Sequence, residues 1–144
     1  MGLDTSHNCW HGAYSAFARF RQAIAKAVGI PLSLMEGFYR PPEWAFEQLT
    51  PGAKFEIDKM LQSLPLSWDL FKGDPILALL NHSDCQGDIP AEQCAPLAKR
   101  LREIAPLLKG QDGGGHLGDI EAKAIQFAEG CELAASRGEN VEFH

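Results

Sequence analysis

The sequence holds no apolar run long enough to cross a bilayer; PILALL, at 75–80, falls far short of the roughly 18 residues required. Its opening residues carry neither the basic segment nor the apolar stretch of a secretory signal. Cysteine is sparse and scattered: Cys9, Cys85, Cys94 and Cys131 form no C-x-x-C pair and no zinc-ribbon spacing. The four are therefore read as reduced, small hydrophobic residues. Positive charge is also in short supply. Thirteen Lys and Arg face 19 Asp and Glu, a formal net charge of -6. A phosphate backbone demands a basic surface, so non-specific nucleic-acid binding is not expected. A cytoplasmic protein without a membrane partner is the expectation, although MGLDTS fits the loose myristoylation pattern.

What is present suits one mainly α domain over 1–144, compact, with a helix-loop-helix turn and a short C-terminal strand. The 45% hydrophobic and 22% charged content is that of a globular chain. Trp10, Tyr14, Phe17, Arg21, Ile24 and Val28 recur at helical steps, which predicts a helix over 9–28 with all but Arg21 turned inward. Gly29 followed by Pro31 should end it. Further helices are expected over 43–49, 51–64, 75–81, 90–109 and 119–137, with Thr50–Pro51, Asp74–Pro75 and Asp119 as start signals. Pro96 should kink the fifth or mark its true start. Gly138 should close the last. Val141 and Phe143 alternate with polar neighbours, as in a strand over 140–143.

Chemistry-bearing residues gather in two stretches. In SHNCWHGAYS, a helix running through 7–11 would put His7 and His11 on one face, one turn apart, where two imidazoles can share zinc or another divalent transition metal. Asn8 stands where a zinc protease has glutamate, so a third ligand would come from His82, Asp84, Cys85, His116 or His144. Without a metal, Trp10, His11, Tyr14 and Ser15, with Arg19, Arg21 and Arg40 as positive partners that can clamp an anion, offer the flat faces and directed donors of a small-molecule pocket. Cys9 beside two histidines is a further candidate nucleophile. The second stretch, NHSDCQGDIPAEQC, resembles a degenerate EF-hand loop with His82 first, Asp84 third, Gly87 sixth and Gln93 twelfth. Neutral residues at both ends argue against tight calcium binding. Gly87 should take a positive φ and Ile89 should anchor the loop. His82, Ser83 and Asp84 crowd polar groups at a helix end and join the candidate site.

Taken together, SHNCWHGAYSAF, NHSDCQGDI and VEFH make the chain similar to small uncharacterised proteins of bacteria and their phages. That resemblance implies an intracellular setting and brings no activity with it. The leading expectation is a protein, free or as a homo-oligomer, that captures an anionic, nucleotide-like metabolite or signal without turnover. The ligand would be held by His7, Trp10, His11, Tyr14, Ser15, Arg40, His82, Ser83 and Asp84. One alternative is a metal-dependent hydrolase with His7, His11, His82 and Asp84 as ligands and bound water as nucleophile. Another is a helical adaptor docking through its aromatic loop, Phe38 to Trp44.

Overall fold

The computed structural model describes residues 2–38, 65–111 and 118–144. The helices expected over 43–49 and 51–64, Arg40, His116 and most of the Phe38–Trp44 loop lie outside the described residues. The described chain is mainly α, as its apolar periodicity indicates. Helix α1 spans Tyr14–Val28, α2 Leu77–Leu80, α3 Ala91–Ile104 and α4 Ile120–Arg137. Four three-residue strands accompany them: β1 Gly2–Asp4, β2 His11–Ala13, β3 Gly87–Ile89 and β4 Val141–Phe143. No described helix is long and apolar enough to cross a membrane.

The first helix begins at Tyr14, not at Cys9. Residues 11–13 instead pair antiparallel with residues 2–4, and Ser6–Asn8 form a single 3-10 turn between the two strands. Thus His7 and His11 do not share a helical face. From Tyr14 onward the expected pattern holds, because Ala16, Phe17, Phe20, Ile24 and Ala25 form the buried stripe. Gly29 closes the helix in the left-handed region at φ 77, its N–H reaching the carbonyls of Ala25 and Lys26. Arg21 departs from its expected outward place. It is buried within that stripe, and its guanidinium donates to the backbone oxygens of Leu80, the last residue of α2, and His82 just beyond it. Those carbonyls need donors at a helix end, and Arg21 supplies one while lying over the rings of Phe17 and Phe38.

Helix α3 runs through Pro96 without a break and tightens into a 3-10 turn at Ala105–Leu108. Proline in the second turn removes one donor, and the carbonyl that would have received it lies near a solvent-facing start. Pro90, the residue before α3, has no capping side chain. The cap comes from afar: Asn140 Oδ1 accepts from Ala91 N at 2.9 Å while its Nδ2 donates to Asp88 at 2.7 Å. Helix α4 is capped as expected, by the Asp119 side chain at its start and by Gly138, φ 64, at its end. It packs along α3, with Cys94, Leu97, Leu101 and Ile104 facing Ala124, Phe127, Cys131 and Ala134 in one core.

Strand β4 pairs antiparallel with β3, and the two strand pairs meet where Asp4 and His144 exchange backbone hydrogen bonds of 2.9 Å. An aromatic cluster fills the space beneath. Trp10 stacks on Phe20 at 5.1 Å and meets Phe17 edge-on at 5.2 Å, and Phe17 meets Phe143 at 6.0 Å.

Candidate functional site

The opening stretch becomes a clasp rather than an open pocket. His7 and Asn8 both adopt left-handed backbone, φ 59 and 58, which places the His7 ring between two side chains. Its Nδ1 lies 2.8 Å from Ser6 Oγ and its Nε2 lies 3.0 Å from Glu139 Oε1 beyond α4. Ser6 Oγ also accepts the N–H of Glu142 at 2.8 Å, and Asn8 O accepts from Gln126 of α4 at 3.0 Å. His11 shares none of this. Its side chain is 81% exposed and its Nδ1 is paired with Asp4, whereas that of His7 is 9% exposed. Trp10 is core, Tyr14 is half-buried and Ser15 is exposed.

Cys9 is fully buried, so it is not the reactive thiol that its neighbours suggested. It sits against Gly130 of α4, where any Cβ would collide with Cys9 Sγ and come within 2.8 Å of the His7 carbonyl. A helix–loop approach this close requires glycine. Cys131 hydrogen-bonds with Cys9, and that bond together with burial pushes the Cys131 thiol well above its ordinary range. Cys94, whose thiol reaches the Pro90 carbonyl at 3.4 Å, is raised chiefly by burial. Protonated, shielded thiols are poor nucleophiles. Cys85 alone is exposed.

The middle loop behaves as a closed turn. Gly87 takes φ 96 and Ile89 is buried, both as expected. His82, the first position of the EF-hand-like register, directs Nδ1 at the Ser83 carbonyl (2.7 Å) and Nε2 at the Asp88 carbonyl (3.0 Å). Its ring also packs 4.1 Å from that of Phe143. Neither nitrogen is left to face an ion. Ser83 is exposed, its hydroxyl accepting from Cys85 N, and Asp84 is half-buried within electrostatic reach of Arg21. Burial lowers the Arg21 pKa and Asp84 acts in the opposite direction. The first helix and the loop therefore do meet, as the pocket reading required, but Arg21 and the loop's backbone carbonyls fill the contact. His7, His11, His82 and Asp84 have separate partners, and no group of three or more His, Cys, Asp or Glu among the described residues is placed to hold a metal ion.

An open concavity lies elsewhere. A groove of about 420 Å³ is bounded by the 3-10 turn Trp68–Phe71, the start of α2 and the first turns of α3. Trp68, half-buried, is fixed by Nε1 donating to the Glu36 carbonyl at 2.9 Å and by the edge of Phe38 at 5.9 Å. Lys72, Asp69, Glu92 and Gln93 add exposed polar groups around an apolar floor of Leu77 and Ala78. Asp74, Pro75 and Pro96 also border a second depression of about 710 Å³ that includes Lys99 and Arg100, so the two adjoin, and together they are called the trough. Arg100 is committed to Asp74 through bonds of 3.1 and 3.2 Å, which raise its pKa. Sequence reasoning passed over this region. The available signal was SWDLFKGDP, a tryptophan in a polar turn between apolar segments. No family model matches the chain, nor does any curated protein or solved structure.

Proposed function

We propose that the protein captures an anionic small molecule with a flat, nucleotide-like ring in the trough, without turning it over, in the cytoplasm of a bacterium or its phage-infected host. The carrying observation is the fixed, half-buried indole of Trp68 at the edge of a 420 Å³ groove with Lys72 beside it. An indole held at its N–H end and packed edge-on by Phe38 is ready to stack on a planar ring with little further ordering. Lys72 makes no ion pair among the described residues and is free to meet a carboxylate or phosphate, as is Lys99 farther along. Asp69 and Glu92 oppose a large negative charge, which favours a monoanion or dianion over a polymer.

A thermal-shift series tests this directly. Nucleoside monophosphates at about one hundred times Kd should add roughly 2.7 kcal/mol of apparent stability. Trp68→Ala and Lys72→Ala should remove the shift, and His11→Ala should keep it. An absence of shift across the nucleotide series, or a shift that survives Trp68→Ala, overturns the reading.

A further inference from the structure

We propose that Ser6 is an acylatable nucleophile, with His7 as its base and Glu139 as the group that positions the base, and that it accepts small activated esters. The order of atoms fixes the proton inventory. A carboxylate only accepts, so the His7 Nε2 that faces Glu139 Oε1 at 3.0 Å carries the ring proton. Nδ1 is then the bare nitrogen, and it receives the Ser6 hydroxyl proton across 2.8 Å. A hydroxyl, a base in reach of it and a third group orienting that base are the signature of an activated nucleophile. Ser6 Oγ also accepts the Glu142 N–H, which directs its own proton at His7 and leaves a lone pair for attack.

The backbone supports the same assignment. Two consecutive non-glycine residues hold the left-handed region, which costs free energy, and the His7 ring there faces the hydroxyl of its neighbour. The conformation is held by Gln126 on the Asn8 carbonyl and by the close seat of Cys9 on Gly130. Burial divides the roles. The base is shielded, with 9% of the His7 side chain exposed, whereas Glu139 is 53% exposed and Ser6 half-buried. No residue of this set lines the trough.

The chemistry balances without a metal or co-reactant. Ser6 Oγ adds to the ester carbonyl as its proton passes to His7 Nδ1. The tetrahedral adduct then expels the alcohol oxygen, which takes that proton, and an acyl-Ser6 remains. Water repeats the sequence, giving its proton to Nδ1 and adding to the acyl carbon. Ser6 leaves with the proton, so ester and water become acid and alcohol.

Fluorophosphonate labelling and p-nitrophenyl acetate hydrolysis, with the adduct mapped by mass spectrometry, test the proposal. Ser6 should be labelled at least about a hundredfold faster in the folded protein than in the urea-unfolded chain. His7→Asn suits the left-handed backbone and should cut the rate at least tenfold. Glu139→Gln changes an exposed side chain, so it keeps the test decisive if His7→Asn fails to fold. It should slow acylation severalfold with thermal stability retained, and Glu139→Asp should recover part of the rate. Labelling confined to other residues, or a Ser6 rate equal to that of the unfolded chain or unchanged in folded His7→Asn or Glu139→Gln, overturns it.

Discussion

At the clasp, residues 6–10 are laced to α4 and to the chain around β4, with Gly130 giving up its side chain so that Cys9 can approach. At the trough, Trp68 is held by one hydrogen bond and the edge of Phe38, and Lys72, Glu92 and Gln93 are exposed. Both regions are rich in the residue types that build sites. The clasp packs them against one another, with Ser6, His7 and Asn8 hydrogen-bonded and Trp10 held by ring packing, and so fixes positions, which suits a preorganised nucleophile. The trough leaves them unspent around a hollow, which suits a ligand. Residue type alone does not tell these apart; burial and packing do, since the Trp10 Nε1 is buried without a hydrogen-bond partner among the described residues while the Trp68 Nε1 has one at 2.9 Å.

The contrast is sharpest in the two tryptophans. Trp10→Ala should destabilise the fold by about 4 kcal/mol, because its indole is 2% exposed and packs on Phe17 and Phe20. Trp68→Ala should cost about 2 kcal/mol, from one hydrogen bond and the Phe38 edge contact at a half-buried site. Urea denaturation of both variants measures the gap, and equal losses would erase the distinction between the regions. Gly130→Ala should cost about 2–3 kcal/mol in the same assay, since backbone atoms of His7 and Cys9 stand where the methyl would go.

A buried thiol gives the packing of α4 a pH dependence. An unfolded cysteine loses its proton near pH 8.5, while Cys131, raised by its bond to Cys9 and by burial, keeps its own. The folded state then binds more protons than the unfolded one, so stability is full below about pH 8.5 and falls above it. The slope from Cys131 should reach up to about 1.4 kcal/mol per pH unit, and Cys131→Ala should flatten it in urea melts taken between pH 7 and 10. A slope unchanged by the substitution would place the effect elsewhere. Smaller again, Asn140→Ala should cost about 1 kcal/mol through the lost cap on α3, read as a lower urea midpoint.

These particulars also show what the sequence could express. The stripe of α1 from Phe17 to Ala25, the Asp119 and Gly138 ends of α4, the Val141–Phe143 strand and the Gly87 turn are local signals, and each is found in place. Residues 2–4 and 11–13 are too short to show alternation, and their pairing overrode the helical reading of 9–13. Arg21 reads as outward from the sequence because its acceptors, at Leu80 and His82, are 59 and 61 residues away. The Asn140 cap on Ala91 is hidden in the same manner, 49 residues distant. The candidate histidines were legible as residues and not as partners. Glu139 for His7 and the loop's own carbonyls for His82 are set only by the assembled chain. The trough is likewise a product of packing, joining residues 68–78 to the first turns of α3.

The most direct measurement follows the indole N–H signals of Trp10 and Trp68 by NMR as adenosine monophosphate is added, assigned with single-tryptophan substitutions. The Trp68 signal should move in a saturable manner and lose its response in Lys72→Ala, while Trp10 stays fixed in the core. A stationary Trp68 signal at saturating nucleotide, or movement of Trp10 and the His11 ring in its place, would contradict the assignment of ligand binding to the trough.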